Sequence, residues 1–313
     1  MKISGLRDPG PVEASVEARA KQSMAATMGT GRGSAGGEQV AAPFTVVEPV
    51  RSGRFVFASP HSGALYPADM RADPALPWSS LTSAEDALVD RLIASGPAHG
   101  AVLMLGRLGR AYVDLNRDPA ELDPALVDGI AGTEVSARTT AGFGVIPRLS
   151  GDGRPLYARR LTLAEAEARI AHVHAPYHAA LAERMQAARA RHGEAVLIDW
   201  HSMPARATEG IGGARGPDVV LGDRHGASCA AALTRRLRRL FEALGWRVAL
   251  NQPYAGGWST QVWGRPAEGF QAIQIELNRA LYFDEAGRVP GPGWSRAEKG
   301  VAKVLADLLA DPG

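Results

Sequence analysis

The sequence predicts an α/β protein: three layers, with a mixed, mostly parallel sheet and helices on both faces. Three observations lead there. Short runs of apolar and β-branched residues recur along the chain, each bounded by turn residues. Several runs are apolar at every position, as strands covered on both faces are. Stretches of helical length and helical period separate them, the pattern of strands joined by crossover helices.

Each element follows in chain order. Residues 1–43 contain no aromatic residue and run through a glycine-rich stretch from Met28 to Gly37. Such a segment buries too little apolar surface to offset its ordering entropy, so it reads as a flexible tail with a short helix near 12–25. No linker interrupts residues 44–313, which are expected to form one catalytic domain. Residues 55–57 form the first strand. Residues 83–95 read as a helix with Ser83 as its cap. Strands are expected at 102–105 and 112–115. Residues 161–191 form a long helix opened by the capping box Thr162-Leu-Ala-Glu165. A strand at 196–199, a helix at 227–244, strands at 248–250 and 272–276 and a helix at 295–309 complete the set.

Composition narrows the function. The 313 residues are 45% hydrophobic, enough for a large core. No apolar run approaches the ~18 residues of a membrane span. Lys plus Arg is 35 against 33 for Asp plus Glu, a balance that gives no argument for nucleic acid or an anionic membrane. The basic run Arg235 to Arg239 lacks interleaved aromatics and reads as a solvated face, as does Arg224. A single cysteine, Cys229, excludes a disulfide framework and a cysteine metal site. A reducing, cytoplasmic setting fits this. Lys2 and Arg7 are not followed by an apolar core, so no secretory signal is expected. There is no Gly-x-Ser-x-Gly elbow, and Gly210-Ile-Gly-Gly213 lacks the strand a dinucleotide fingerprint needs.

Chemistry gathers at strand ends. His61 follows the first strand, His201 follows Leu197-Ile-Asp-Trp200, and Glu276 ends the strand at 272–276. In open α/β sheets the carboxyl ends of strands open onto the ligand crevice. A catalytic zinc needs three protein ligands and one open position. Two imidazoles are present, and the third ligand must be a carboxylate between them, with Asp86 and Asp90 of Glu85-Asp-Ala-Leu-Val-Asp90 the nearest candidates. Asp199 shares a strand face with His201 and reads as its partner or as a structural Asp. Arg110 and Arg117 bracket Asp114 and Asn116. An Asn116–Arg117 pair can hold an anion, while the plainer reading pairs the arginines with Asp114 and Asp118. His174 and His178 have metal-ligand spacing, but Pro176 interrupts the helix between them, and a metal role there is set aside.

Seven segments in order carry a resemblance: Ser59-Pro-His-Ser-Gly63, Asp114-Leu-Asn-Arg117, Pro176-Tyr-His178, Asp199-Trp-His-Ser202, Asp218-Val-Val-Leu-Gly222, Tyr254-Ala-Gly-Gly257 and Gln274-Ile-Glu-Leu277. Together the chain resembles the N-formylglutamate amidohydrolase (deformylase) family, related to zinc carboxypeptidases and aspartoacylases. The resemblance implies a phosphorylase/hydrolase-like, carboxypeptidase-like fold and one Zn2+ per chain on His61, Asp86 and His201. It implies Glu276 as general base and acid, and Arg117 at the scissile carbonyl or the substrate carboxylate. Arg110, Asn116, His178, Tyr254 and Arg279 are the candidate substrate-binding residues. The implied reaction is hydrolysis of a small anionic N-acyl amino acid, with N-formyl-L-glutamate foremost. The alternatives are another N-acyl amino acid or peptide, or a binding protein without turnover. No nucleic acid or membrane partner is expected, and a homo-oligomer is left open. Arg279 and the glycine-rich loop at 205–216 depart from the family pattern and bear on the choice of substrate.

Overall fold

Apolar residues at consecutive positions need cover on two sides, and the strands built from them lie inside a seven-stranded sheet. The computed structural model describes residues 42–130, 135–209 and 216–310. The predicted tail, up to Ala41, and its short helix lie outside the described residues. The strands are β1 (Phe44–Val47), β2 (Phe55–Ser59), β3 (Val102–Gly106), β4 (Ala195–Met203), β5 (Val219–Gly222), β6 (Val248–Leu250) and β7 (Phe270–Asn278). Their order across the sheet is β1-β3-β2-β4-β7-β5-β6. Strands β3, β2, β4 and β7 run parallel, while β1 on one side and the β5–β6 pair on the other run antiparallel to them. The sheet is therefore mixed and mostly parallel. A small ribbon of β8 (Phe283–Asp284) and β9 (Val289–Pro290) follows.

Helices cover both faces. The capping box forms as expected: Thr162 Oγ1 accepts from Glu165 N, and Glu165 accepts from Thr162 N at 2.8 Å. It opens α1 (Leu163–Arg169), which passes through a π-helical turn at Ile170–His174 into α2 (Ala175–His192). Tyr177, Leu181 and Met185 of α2 pack with Val56, Ala58, Leu197 and Ala272 on one face of the sheet. Two further helices, α3 (Ala231–Glu242) and α5 (Trp294–Leu309), cover the other face. There Leu237, Phe241, Val301 and Leu305 meet Phe57, Ile198, Trp200 and Ile275. Between them in sequence lies the short α4 (Trp258–Trp263).

The two central strands set up the site. β4 and β7 pair from Ala195 opposite Phe270 to Met203 opposite Asn278. Alternate residues share a face. On the α2 side that face begins with Ala195, Leu197, Phe270 and Ala272, all in the core. It ends with Asp199, His201, Gln274 and Glu276, four buried polar groups. The carboxyl end of the sheet is thus its polar end.

Two expected elements are replaced. Residues 112–115 are not a strand but a buried loop, because their amides bond to other loops: Tyr112 N to Gly109 O and Asp114 N to Val145 O. The helix expected at 83–95 shrinks to the turn Val89–Leu92, with Leu88 left-handed before it. Arg279 holds the carbonyls of Ser83 and Glu85, and Asp86 N donates to His61 O, so the first turn cannot close on itself. β5, absent from the expected list, joins the sheet through the motif at 218–222.

Candidate active site

The chain leaves β2 at Ser59 and turns at once to His61. β4 carries His201 two residues beyond Asp199. Asp86 reaches the same place from the turn and loop segment that replaces the expected helix. His61 Nδ1 and His201 Nδ1 lie 3.1 Å apart, and Asp86 Oδ2 stands 3.4 Å from the first and 3.0 Å from the second. All three side chains are buried. Of the three carboxylates, Asp86 is the one whose oxygen stands beside both imidazoles. Glu85 turns the other way, to the Tyr66 hydroxyl and Arg288.

The far side of each imidazole meets a carboxylate. His61 Nε2 lies 2.7 Å from Asp114 Oδ1, and His201 Nε2 lies 2.9 Å from Asp199 Oδ2. With both rings neutral and each giving an Nε2–H to its carboxylate, the two Nδ1 lone pairs aim at one point beside an anionic oxygen. This is the supporting arrangement of metal-binding histidines. The three ligand atoms form a triangle with edges of 3.0–3.4 Å. Tetrahedral zinc with bonds of ~2.0–2.1 Å needs ligand atoms about 3.3 Å apart. An N2O donor set also suits zinc.

Electrostatics follow from the packing. Burial disfavours charge on Asp86, but the His201 and His61 rings outweigh it and hold the carboxyl well below its usual range. Burial likewise disfavours charge on Asp114, and Arg110, His61 and Arg117 outweigh that. Burial opposes protonation of His201, yet Asp199 and Asp86 raise its pKa well above that of a free imidazole. Glu276 is different. Burial pushes its pKa up to about 7, with His201 pulling the other way. Its Oε1 accepts from Gln274 Nε2 at 2.7 Å, and it sits opposite His201 in the strand register.

These groups line a cavity of about 350 Å³. Arg110, Asn116, Arg117, Tyr254 and Arg279 line it too. The Asn116 amide donates to Asp199 Oδ2 at 2.9 Å, and its oxygen accepts from Ser259 N. A side chain at Gly257 would run into that amide, so only glycine allows the loop after Tyr254 to close against it. Arg110 pairs with Asp114 Oδ2 at 2.9 Å. Arg117 gives Nε to Phe143 O and Nη1 to Asn116 O, leaving Nη2 without a partner among the described residues.

A model of the N-formylglutamate amidohydrolase family matches residues 53–283. The chain belongs to this family. An N-formylglutamate deformylase of Pseudomonas aeruginosa is 34% identical over 200 residues, 63% of this chain and 70% of the relative. The crystal structure of an N-formylglutamate amidohydrolase from Ralstonia eutropha JMP134 superposes with a TM-score of 0.80 at 35% identity, covering 86% of this chain and 98% of that one. A gene product of Agrobacterium tumefaciens shares the fold at 20% identity, with a TM-score of 0.58 and coverage of 86% and 95%.

Two residues expected at the substrate sit differently in this family member. His178 does not line the cavity. Its Nε2 lies 2.9 Å from Leu115 O, behind the loop. The neighbouring His174 holds Arg117 O at 2.9 Å in the same way. Pro176 falls in the first turn of α2 and does not break it, so both rings lie on one face, their centroids 4.2 Å apart. Arg279 reaches the cavity wall, but all three of its nitrogens hold protein: Ser202 Oγ, the carbonyls of Ser83 and Glu85, and Asp86. Asp114, read from sequence only as a partner for arginine, is the carboxylate behind His61. Its place in Asp114-Leu-Asn-Arg117 was the available signal.

Proposed function

We propose that the chain hydrolyses the N-acyl bond of a small anionic N-acyl amino acid, N-formyl-L-glutamate foremost, giving formate and L-glutamate. The observation that carries this reading is the triad of Asp86, His61 and His201 in one cavity with Glu276 and Arg117. The deformylase name of the Pseudomonas aeruginosa relative supports the substrate. His61, Asp86 and His201 would hold one zinc ion per chain; when bound, zinc polarises a carbonyl and lowers the pKa of water.

The chain's own residues do the rest. Glu276 takes the proton of the attacking water as oxygen adds to the amide carbon. It returns that proton to the amide nitrogen as the C–N bond breaks. A carboxyl pKa of about 7 suits both transfers near neutral pH. Gln274 holds one carboxylate oxygen of Glu276 in place. Arg117 offers its remaining Nη2 donors to the oxygen on which charge develops. Arg110 and Tyr254 bind the substrate. Asn116 fixes Asp199, and through it the orientation of His201. Arg279 and His178 act through Asp86 and the Leu115 carbonyl rather than on substrate.

The test is formate release from N-formyl-L-glutamate by zinc-loaded protein, with N-acetyl- and N-succinyl-L-glutamate as comparisons. Metal analysis of the same sample accompanies it. Formate release faster than release of the other acyl groups, with about one zinc per chain, is expected. A zinc-loaded protein that releases no acyl group would overturn the reading.

A further inference from the structure

A second cavity of about 300 Å³ adjoins the first. The two share Asn116, Arg117, Arg138, Gly256 and Gly257 in their walls. Arg224 lines only the second. The guanidinium groups of Arg138 and Arg224 have no hydrogen bond or ion pair among the described residues, unlike Arg110, Arg117 and Arg279. Two acidic residues line the chamber as well. Asp118 accepts from Ala120 N through its carboxylate, and Glu121 lies near Arg117.

Arg224 is held there by an unusual turn. Arg224 and His225 are consecutive non-glycine residues in the left-handed region, with φ of 52° and 58°. That conformation is unfavourable for ordinary side chains and persists only where its surroundings enforce it. Here they do. Asn251 Oδ1 accepts from Asp223 N and His225 N. Asp223 Oδ1 accepts from Gly226 N and from Asn251 Nδ2. Arg224 N donates to Ala255 O, which ties the turn to the loop that walls both cavities. The Arg224 side chain runs along Gly256.

We propose that Arg224 and Arg138 form a subsite for the ligand carboxylate farther from the scissile amide, the side-chain carboxylate of an N-acyl dicarboxylic amino acid. This rests on the amidohydrolase reading above. The scissile bond belongs in the first cavity, beside the triad and Glu276. In an N-acyl glutamate the α-carboxylate stays next to the amide, while the side chain carries the second carboxylate away from it. The shared wall at Arg117 and Gly257 leads into a chamber with two uncommitted guanidinium groups. Guanidinium binds carboxylate through paired, charge-assisted hydrogen bonds.

The test compares N-formyl-L-glutamate with N-formyl-L-glutamine, which has the same shape and no side-chain charge. Wild type and the variant Arg224→Gln with Arg138→Gln are measured, with melting temperature as the check on folding. The expected result is at least a tenfold fall in the glutamate-over-glutamine preference in kcat/KM, carried mainly by KM. An unchanged preference in a folded variant would overturn the proposal. Calorimetry with glutarate, on wild type and variant, gives a readout independent of turnover. Weaker glutarate binding by the variant supports the subsite, and equal binding counts against it. A wild type that binds glutarate through these arginines but cleaves no formyl compound would sink the proposed reaction while leaving the subsite standing.

Discussion

His61 and His201 face one another through Nδ1 atoms 3.1 Å apart, while each turns its Nε2 to a buried carboxylate. Two imidazoles so placed, with Asp86 as the third group, make a site whose affinity for a divalent ion depends on every member. His61→Ala, His201→Ala and Asp86→Ala should each lose bound zinc and activity together, read by metal analysis of the purified protein. Removing the metal by chelation should also lower the melting temperature. With zinc ~1,000-fold above its Kd the linkage is worth about 4 kcal/mol, or roughly 6–7 °C for a chain of this size. A chelated protein that melts unchanged and stays active would count against the site.

Glu276→Gln should keep zinc and lose about 10²–10⁴-fold in kcat, since an amide can neither take nor return the proton. The wild-type carboxylate acts as base only when deprotonated. Burial raises its pKa to about 7, so kcat should fall as pH drops below that value. A bound divalent cation moves this limb to lower pH without changing its sign. The limb should vanish from the residual activity of Glu276→Gln.

Arg279 is buried and grips the segment that delivers Asp86. Arg279→Gln should therefore weaken zinc binding about 10–100-fold, as loss of a group supporting a ligand does. Competition with a chromophoric chelator measures it. Wild-type zinc affinity with a raised KM would return Arg279 to the role of substrate binder.

His178 supports a loop carbonyl as a neutral ring, because burial, then the His174 ring, push its pKa down to about 4. The required group is an N–H at the Nε2 position, which glutamine can also supply. His178→Leu should leave the Leu115 carbonyl unpaired, destabilise the fold by about 1–3 kcal/mol and reduce kcat. His178→Gln should restore most of both. Equal loss in the two variants would mean that the ring itself is needed.

The sequence made the repeating strand–helix pattern legible because burial of the parallel strands leaves apolar runs at 55–57 and 196–198 and a largely apolar one at 272–275. His61, His201 and Glu276 were legible for a related reason: each stands where such a run ends. The partners behind them were harder to see. Asp114 is 53 residues from His61 and lies in a loop that looked like a strand, because its buried residues mimic a strand's composition. The helix expected at 83–95 fails because of Arg279, almost 200 residues away, which takes carbonyls that helical periodicity assigns to the helix itself. The left-handed turn at Arg224 and His225 was not legible either, because Asn251, which accepts from His225 N, lies 26 residues further on.

The alternation along β4 has a consequence for tolerance to change. Leu197, Asp199 and His201 face α2, while Ile198 and Trp200 face α3 and α5. Inserting or deleting one residue between Ala195 and Asp199 would exchange the two sets. An indole would then look into the cavity, and an imidazole and a carboxylate would be thrust among Phe57, Phe241 and Ile275. The residue count of this strand is therefore fixed by both cores at once.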